Sequence, residues 1–328
     1  MVSDEGAGRM SRREAIGRIM SGVLTYEALQ FPRDVNAGEP EVTSELYRLR
    51  DLEVLYERWK TQKTSTHIPP LEVFRAAVMT CREAACAIFL MKGPTVSASH
   101  SGFIISIPEE HQTQNSRDKI YVVTCDHARL DHRDTRPIIQ LSNGTTITPE
   151  IEIVAQFGAR GLPVKDLRIY ECLKIPVPGV RGLPLRPIEV RPPQDAPAMT
   201  YEPLNLRARQ MVDERRQTVV LQRQLQSDRV AERFILTSVS HPSEFRFDPS
   251  YPENWGFNTA GHLKVGGSGS PVILFTERDF SVAGHQVSYG ERQNHDGEDR
   301  IDGEVNYDAN VVHINNAINL LHERGRWK

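Results

Sequence analysis

The spacing of apolar residues changes once along this chain, near residue 84, and no other feature constrains the fold as much. Upstream, Leu49, Leu52, Tyr56 and Trp59 recur at helical intervals, and so do Leu71, Phe74, Val78 and Cys81 after the Pro69-Pro70 pair. Earlier still, Ser11 and Glu14 form a capping-box pattern ahead of Ile16, Ile19, Met20, Val23 and Leu24. The spacing predicts helices over 11–24, 43–60 and from residue 71 onward. Downstream the apolar runs are short, at 87–91, 102–107, 121–124, 138–141 and 146–153, with turn residues such as Asn143-Gly144 between them. Further short runs follow at 166–170, 188–190, 234–239, 272–275 and 281–289. Short strands in this rhythm fit an antiparallel barrel. Residues 1–82 read as a helical N-terminal unit, either packed on the barrel or serving as a regulatory, partner-binding domain. Residues 83–328 read as the β domain, with 191–235 as a charged insertion or linker that opens on a Pro-rich stretch.

Charge and cysteine usage narrow the function classes. The 328 residues carry a net charge of −3, so no basic excess points to nucleic acid or to an acidic membrane surface. No apolar run is long enough to span a membrane. Cys81, Cys86, Cys125 and Cys172 form no Cys-x-x-Cys pair and no dense disulfide framework, which predicts reduced thiols and a cytoplasmic protein. Ser11-Arg12-Arg13 has the look of a twin-arginine export signal, but Arg18 and Glu27 follow it and no small-residue cleavage site does. The acidic loop at 291–304 lacks the ordered ligand spacing of a calcium site, so neither a metal nor a cofactor is expected.

Chemistry concentrates in three places. Gly266-Gly267-Ser268-Gly269-Ser270-Pro271 is a small-residue turn that presents a serine, with glycines that let backbone N–H groups converge beside its oxygen. Such turns are also common in β proteins with no catalytic role. Upstream, the strand-like 121–124 leads through Cys125 and Asp126 to His127, and Asp166 opens the run Asp-Leu-Arg-Ile-Tyr. An isolated histidine at a strand end is usually structural. The presence of an aspartate and a serine in the order His, Asp, Ser changes that balance. Asp131 and Asp134 are rival acids, but they lie too close to His127 along the chain and no apolar strand follows them.

On these motifs the chain resembles the trypsin-like serine peptidases of the chymotrypsin fold. Val122-x-Thr124-x-x-His127, the Asp166 strand and Gly266-x-Ser268-Gly269-Ser270-Pro271 carry the resemblance. Ser101-Gly102-Phe103-Ile104-Ile105, the Asn143-Gly144 hairpin and a final strand running into a helix at 310–321 are similar to the HtrA/Deg branch, without its PDZ domain. The resemblance covers about residues 85–323 and has no counterpart for the helical unit. It implies a mainly β fold of two six-stranded antiparallel barrels. It also implies a triad of His127, Asp166 and Ser268, an oxyanion hole from the N–H groups of Gly266 and Ser268, and a polypeptide substrate. His262 and His285 fall where the family builds its primary specificity pocket, which implies a taste for acidic side chains. Gly267 stands where zymogens of the family carry an anchoring aspartate, so control by loop ordering or a partner is expected instead. A non-catalytic, protein-binding module on the same fold is the competing expectation.

Overall fold

The computed structural model describes residues 49–61, 67–130, 132–154, 166–173, 178–189, 191–203, 232–241, 256–260, 267–291 and 307–328. Gly266, His262, Asp131, the helix expected at 11–24 and nearly all of the acidic loop lie outside them. Two helices come first, α1 (Leu49–Thr61) and α2 (Leu71–Ala84). Their apolar faces meet through Tyr56, Trp59 and Phe74, and the Tyr56 hydroxyl donates to the Pro69 carbonyl at 2.7 Å. Trp59 and Phe74 also pack on Phe275 of the β domain, at ring centroids of 5.7 and 6.5 Å. One hydrophobic core holds both helices and the strands, and α2 passes into the first strand with no intervening loop. Helices α1 and α2 are thus packed on the β structure and do not stand apart from it.

The first sheet contains β1 (Ala85–Lys92), β2 (Thr95–Ser106), β3 (Lys119–Thr124), β4 (Arg136–Leu141), β5 (Thr146–Ile147), β6 (Ile151–Val154), β7 (Arg168–Leu173) and β8 (Leu183–Pro184). Its order is β5-β4-β1-β2-β3-β7-β6, with β8 parallel to β2. The sheet curls, but its ladder does not close among the described residues, so the expected pair of closed six-stranded barrels is corrected to one barrel and one open sheet. The open ends, β5 and β6, are consecutive in the chain. Thr148, Pro149 and Glu150 separate them, and a proline there cannot donate a ladder hydrogen bond.

The second β unit is a closed barrel, β10-β11-β14-β13-β12-β9. Its strands are β9 (Pro197–Pro203), β10 (Glu232–His241), β11 (Gly256–Ala260), β12 (Pro271–Phe275), β13 (Phe280–Glu291) and β14 (Tyr307–His313). The stretch read as a linker at 191–235 contains β9 and the start of β10. Pro197 and Pro203 sit at the two ends of β9, where a missing donor costs least. No strand forms at 185–189, whereas β11 is a strand that the apolar pattern did not signal.

After β14 comes helix α4 (Asn315–Glu323), and the chain then returns to the first sheet. Trp327 pairs with Gln112 in a β-bridge and stacks on His111 at 4.4 Å between centroids. The Lys328 N–H donates to the His111 carbonyl at 2.9 Å, and Arg326 Nε donates to Glu171 on β7 at 2.7 Å. Residues 325–328 therefore strap the barrel to the open sheet. Among the described residues no helix is long and apolar enough to cross a membrane, and all four cysteines are buried and outside any disulfide.

Candidate active site

The open sheet supplies His127 and Asp166. His127 begins a single-turn helix, α3 (His127–Leu130), just past the end of β3, and Asp166 precedes β7, which pairs with β3. Pairing of Thr124 with Arg168 brings the two loops side by side. His127 Nδ1 donates to Asp166 Oδ2 at 2.6 Å, and the other carboxylate oxygen accepts from the backbone N–H groups of Asp126 (2.6 Å) and His127 (2.8 Å). Burial alone would raise the pKa of Asp166, but the charge and hydrogen bonds of His127 more than offset it and hold it below the usual carboxylate range. Burial likewise opposes a charged His127. The Cys125 sulfur and the Asp166 carboxylate outweigh that effect, and the His127 pKa is raised well above its ordinary value.

Beneath this pair lies a buried charge network. Asp126 Oδ1 accepts from Arg168 Nε at 2.8 Å and lies 2.6 Å from Arg168 Nη2, and Arg168 also pairs with Glu152. Asp126 and Arg168 are both buried. Burial raises the pKa of Asp126, and Arg168 pulls it back. The pair fixes the corner whose two N–H groups hold Asp166.

The barrel supplies Ser268. Gly267, Ser268, Gly269 and Ser270 form a turn closed by the Ser270 N–H on the Gly267 carbonyl at 2.9 Å. Gly269 has φ +89°, which the third position of a type II turn requires. A Cβ there would lie 2.0 Å from the Ser101 carbonyl oxygen and 2.5 Å from Thr124 Oγ1. Glycine is thus required for close approach as well as for φ. The turn is docked on the sheet: the Ser101 N–H donates to the Ser268 carbonyl at 3.0 Å, and Thr124 Oγ1 donates to the Ser101 carbonyl at 2.6 Å. Ser268 Oγ donates to the Val287 carbonyl at 3.4 Å, and no hydrogen bond joins it to His127.

Three consecutive residues of β13 tie the two halves together. His285 Nε2 donates to the Asp166 carbonyl at 2.7 Å. Gln286 accepts from the Gly269 N–H at 2.7 Å and donates to the Ser270 carbonyl at 3.0 Å, and Val287 receives the serine hydroxyl. The expectation that His285 lines a specificity pocket is corrected here. Its ring is 1% exposed and is committed to the aspartate. Burial lowers its pKa to about 4, so it donates as a neutral imidazole at neutral pH. Hydrogen bonds therefore join His127, Asp166 and His285 directly, and Ser268 is linked to them through the strand that carries His285, Gln286 and Val287. Asp134, the described rival acid, is exposed and has no part in these contacts.

Cys125, Asp126 and Arg168 belong to the same cluster, although no triad motif includes them. Two charged residues flanking buried strand ends, Asp126 after an apolar run and Arg168 inside one, were the available signal. His100 is a further buried histidine with neither ring nitrogen hydrogen-bonded, and burial lowers its pKa to about 3.

No protein-family model matches the chain, and no curated protein matches it at a significant level. Solved structures are similar to it at low identity. A serine endoprotease from Yersinia pestis is 13% identical with a TM-score of 0.43, over 76% of this chain and 65% of that one. The scabies mite inactivated protease paralogue S-I1 is 15% identical with a TM-score of 0.45, over 75% of this chain and 96% of that one. The thermostable serine protease AL20 from an extremophilic microorganism is 11% identical with a TM-score of 0.44, over 74% of this chain and 97% of that one. The chain thus spans less than two thirds of the Yersinia pestis protein. All three scores lie below 0.5, and the functional reading rests on the site's own geometry.

Proposed function

We propose that the chain is a trypsin-like serine endopeptidase of the chymotrypsin fold, closest by its motifs to the HtrA/Deg branch. The supporting observation is the set of contacts from His285, Gln286 and Val287, which reach Asp166, the turn of Ser268 and the serine hydroxyl in succession. In this reading Asp166 Oδ2 keeps the proton of His127 on Nδ1, leaving Nε2 free as the base. His127 takes the Ser268 proton as the hydroxyl attacks a peptide carbonyl, and returns it to the departing amine. The N–H groups of Ser268 and Gly266 serve as oxyanion donors, each worth on the order of 10²–10³ in rate. Hydrolysis of the acyl-enzyme repeats the cycle with water.

The competing reading is a protein-binding module that keeps the fold. The bond from Ser268 Oγ to Val287 supports it, because the hydroxyl donates to a backbone carbonyl and not to His127. The same bond supports an enzyme whose hydroxyl is released when a partner or a second copy reorders the turn. A fluorophosphonate probe separates these readings. Rapid labelling of Ser268 that is lost in Ser268→Ala and His127→Ala fits the peptidase. Absence of labelling with the chain alone, at high concentration and with polypeptide present would leave the binding module.

A further inference from the structure

Cys125 sits against the His127–Asp166 pair. The sulfur, a ring nitrogen of His127 and a carboxylate oxygen of Asp166 all lie within 4.8 Å of one another. Donors around a tetrahedral zinc ion stand roughly 3.3–3.6 Å apart, given bonds of about 2.0–2.3 Å. Small movements would bring the three donors to that spacing. Thiolate, imidazole and carboxylate together suit a borderline-soft cation and not magnesium or calcium. One divalent ion neutralises one thiolate and one carboxylate, so the loaded site carries no net charge, which a buried location favours.

Two further observations point the same way. Asp166 Oδ1 is held by two backbone N–H groups and Oδ2 is the oxygen turned to His127, so the carboxylate is oriented in advance by its outer contacts. His100, in the same electrostatic neighbourhood as His127 and Asp166, is 2% exposed and neither ring nitrogen has a hydrogen-bond partner. A buried polar ring without a partner marks a polar pocket that is not fully satisfied. The His127 side chain is 40% exposed and that of Asp166 17%, so two of the three donors meet solvent while Cys125 lies buried behind them.

We propose that Cys125, His127 and Asp166 form a reversible inhibitory site for Zn²⁺ or a similar thiophilic divalent cation, with solvent completing the coordination. The ion takes the place of the proton between Nδ1 and Oδ2. Neutral His127 moves that proton to Nε2, and the Cys125 thiol releases its own to solvent, one proton per ion bound. An imidazole protonated at Nε2 cannot accept the serine proton. Metal binding stands on the three donors alone, and its effect on hydrolysis rests on the peptidase reading above.

The binding test uses the full chain carrying Ser268→Ala, kept reduced, with Co²⁺ as the optical probe and Zn²⁺ as competitor. One Co²⁺ per chain should bind with a near-ultraviolet sulfur-to-cobalt absorption, and Zn²⁺ should displace it. Adding Cys125→Ala should abolish the band and weaken Zn²⁺ binding at least about 100-fold. Cys125→Ser, which keeps the side-chain size, should abolish the band in the same way if the alanine variant misfolds. Cys81→Ala, Cys86→Ala and Cys172→Ala should each retain it. Absence of the band, or a band that survives loss of Cys125, overturns the proposal. With Ser268 present, Zn²⁺ should suppress turnover and a chelator should restore it. Hydrolysis that ignores saturating Zn²⁺ also overturns the site. A chain that binds the ion through Cys125 but never cleaves peptide would instead remove the peptidase reading and leave the metal site standing.

Discussion

The open sheet and the closed barrel hold their parts of the site by different means. On the open sheet, His127 and Asp166 rest on a charge network that runs through buried Asp126 and Arg168 to half-buried Glu152. On the barrel, Ser268 rests on backbone hydrogen bonds and close packing at Gly269, with no charged side chain in the turn. The half that holds His127 and Asp166 is therefore sensitive to charge and pH. The half that holds Ser268 is sensitive to volume and backbone shape. The two meet where the Ser268 turn docks on Ser101 and again at His285, a barrel side chain bonded to the backbone of the aspartate.

The largest test of this division is removal of the reacting groups. Ser268→Ala should lower kcat by roughly 10⁴–10⁶, His127→Ala by a similar amount and Asp166→Asn by about 10⁴. The serine variant should keep its Tm, since it loses one oxygen on a turn. Peptide hydrolysis by purified Ser268→Ala at the normal rate would remove the assignment.

Next comes the charge network. Arg168→Met leaves Asp126 buried and unpaired and should cost about 3–5 kcal/mol of stability in denaturant melts. Asp126→Asn combined with Arg168→Met should recover part of that loss, because no uncompensated charge remains. Equal losses for the single and double variants would show that packing, not charge, holds this corner.

Gly269→Ala probes the other half by volume alone. Its Cβ would force the turn away from Ser101, and displacement of the nucleophile by about 1 Å is worth about 10² in rate. Steady-state kinetics should show the drop in kcat with the circular dichroism spectrum retained. A fully active alanine variant would mean that the turn is looser than its contacts imply.

The smallest expected effect is on pH dependence. Below its pKa His127 is protonated and cannot act as base, so activity falls on the acid side of that value. Because the pKa is raised, the acid limb of kcat/KM should have its midpoint above the ordinary histidine value of about 6.5. Cys125→Ala removes one of the two contributions that raise it and should move the limb to lower pH. A limb that stays in place would assign the whole shift to Asp166.

The sequence made the strands legible where apolar residues clustered, as at β2, β3 and β12, and the helices legible where they recurred at helical spacing. It hid β9 because Pro197 and Pro203 read as linker residues, when only the interior of a strand excludes proline. It hid β11 because Gly256, Asn258 and Thr259 carry little apolar signal, although all three are buried. At the site, the order of His127, Asp166 and Ser268 could be read from local motifs. The burial of His285 could not, since which face of β13 turns inward depends on register with β12 and β14. The Asp126–Arg168 pair was equally hidden, because it forms between residues 42 apart in the chain.

The strap at 325–328 gives the molecule the topology of a ring. The sheet and the barrel are joined by the covalent path from β8 to β9, by the contacts of His285 and the Ser268 turn, and again, away from these, where Trp327 lies on His111. Two bodies joined at one place can swing about it, whereas two bodies joined at two places can only flex. Any rotation that separates Ser268 from His127 must first peel away Trp327 and strip Glu171 of Arg326. The strap thereby holds the sheet and the barrel together at a distance, by residues that touch neither His127 nor Ser268.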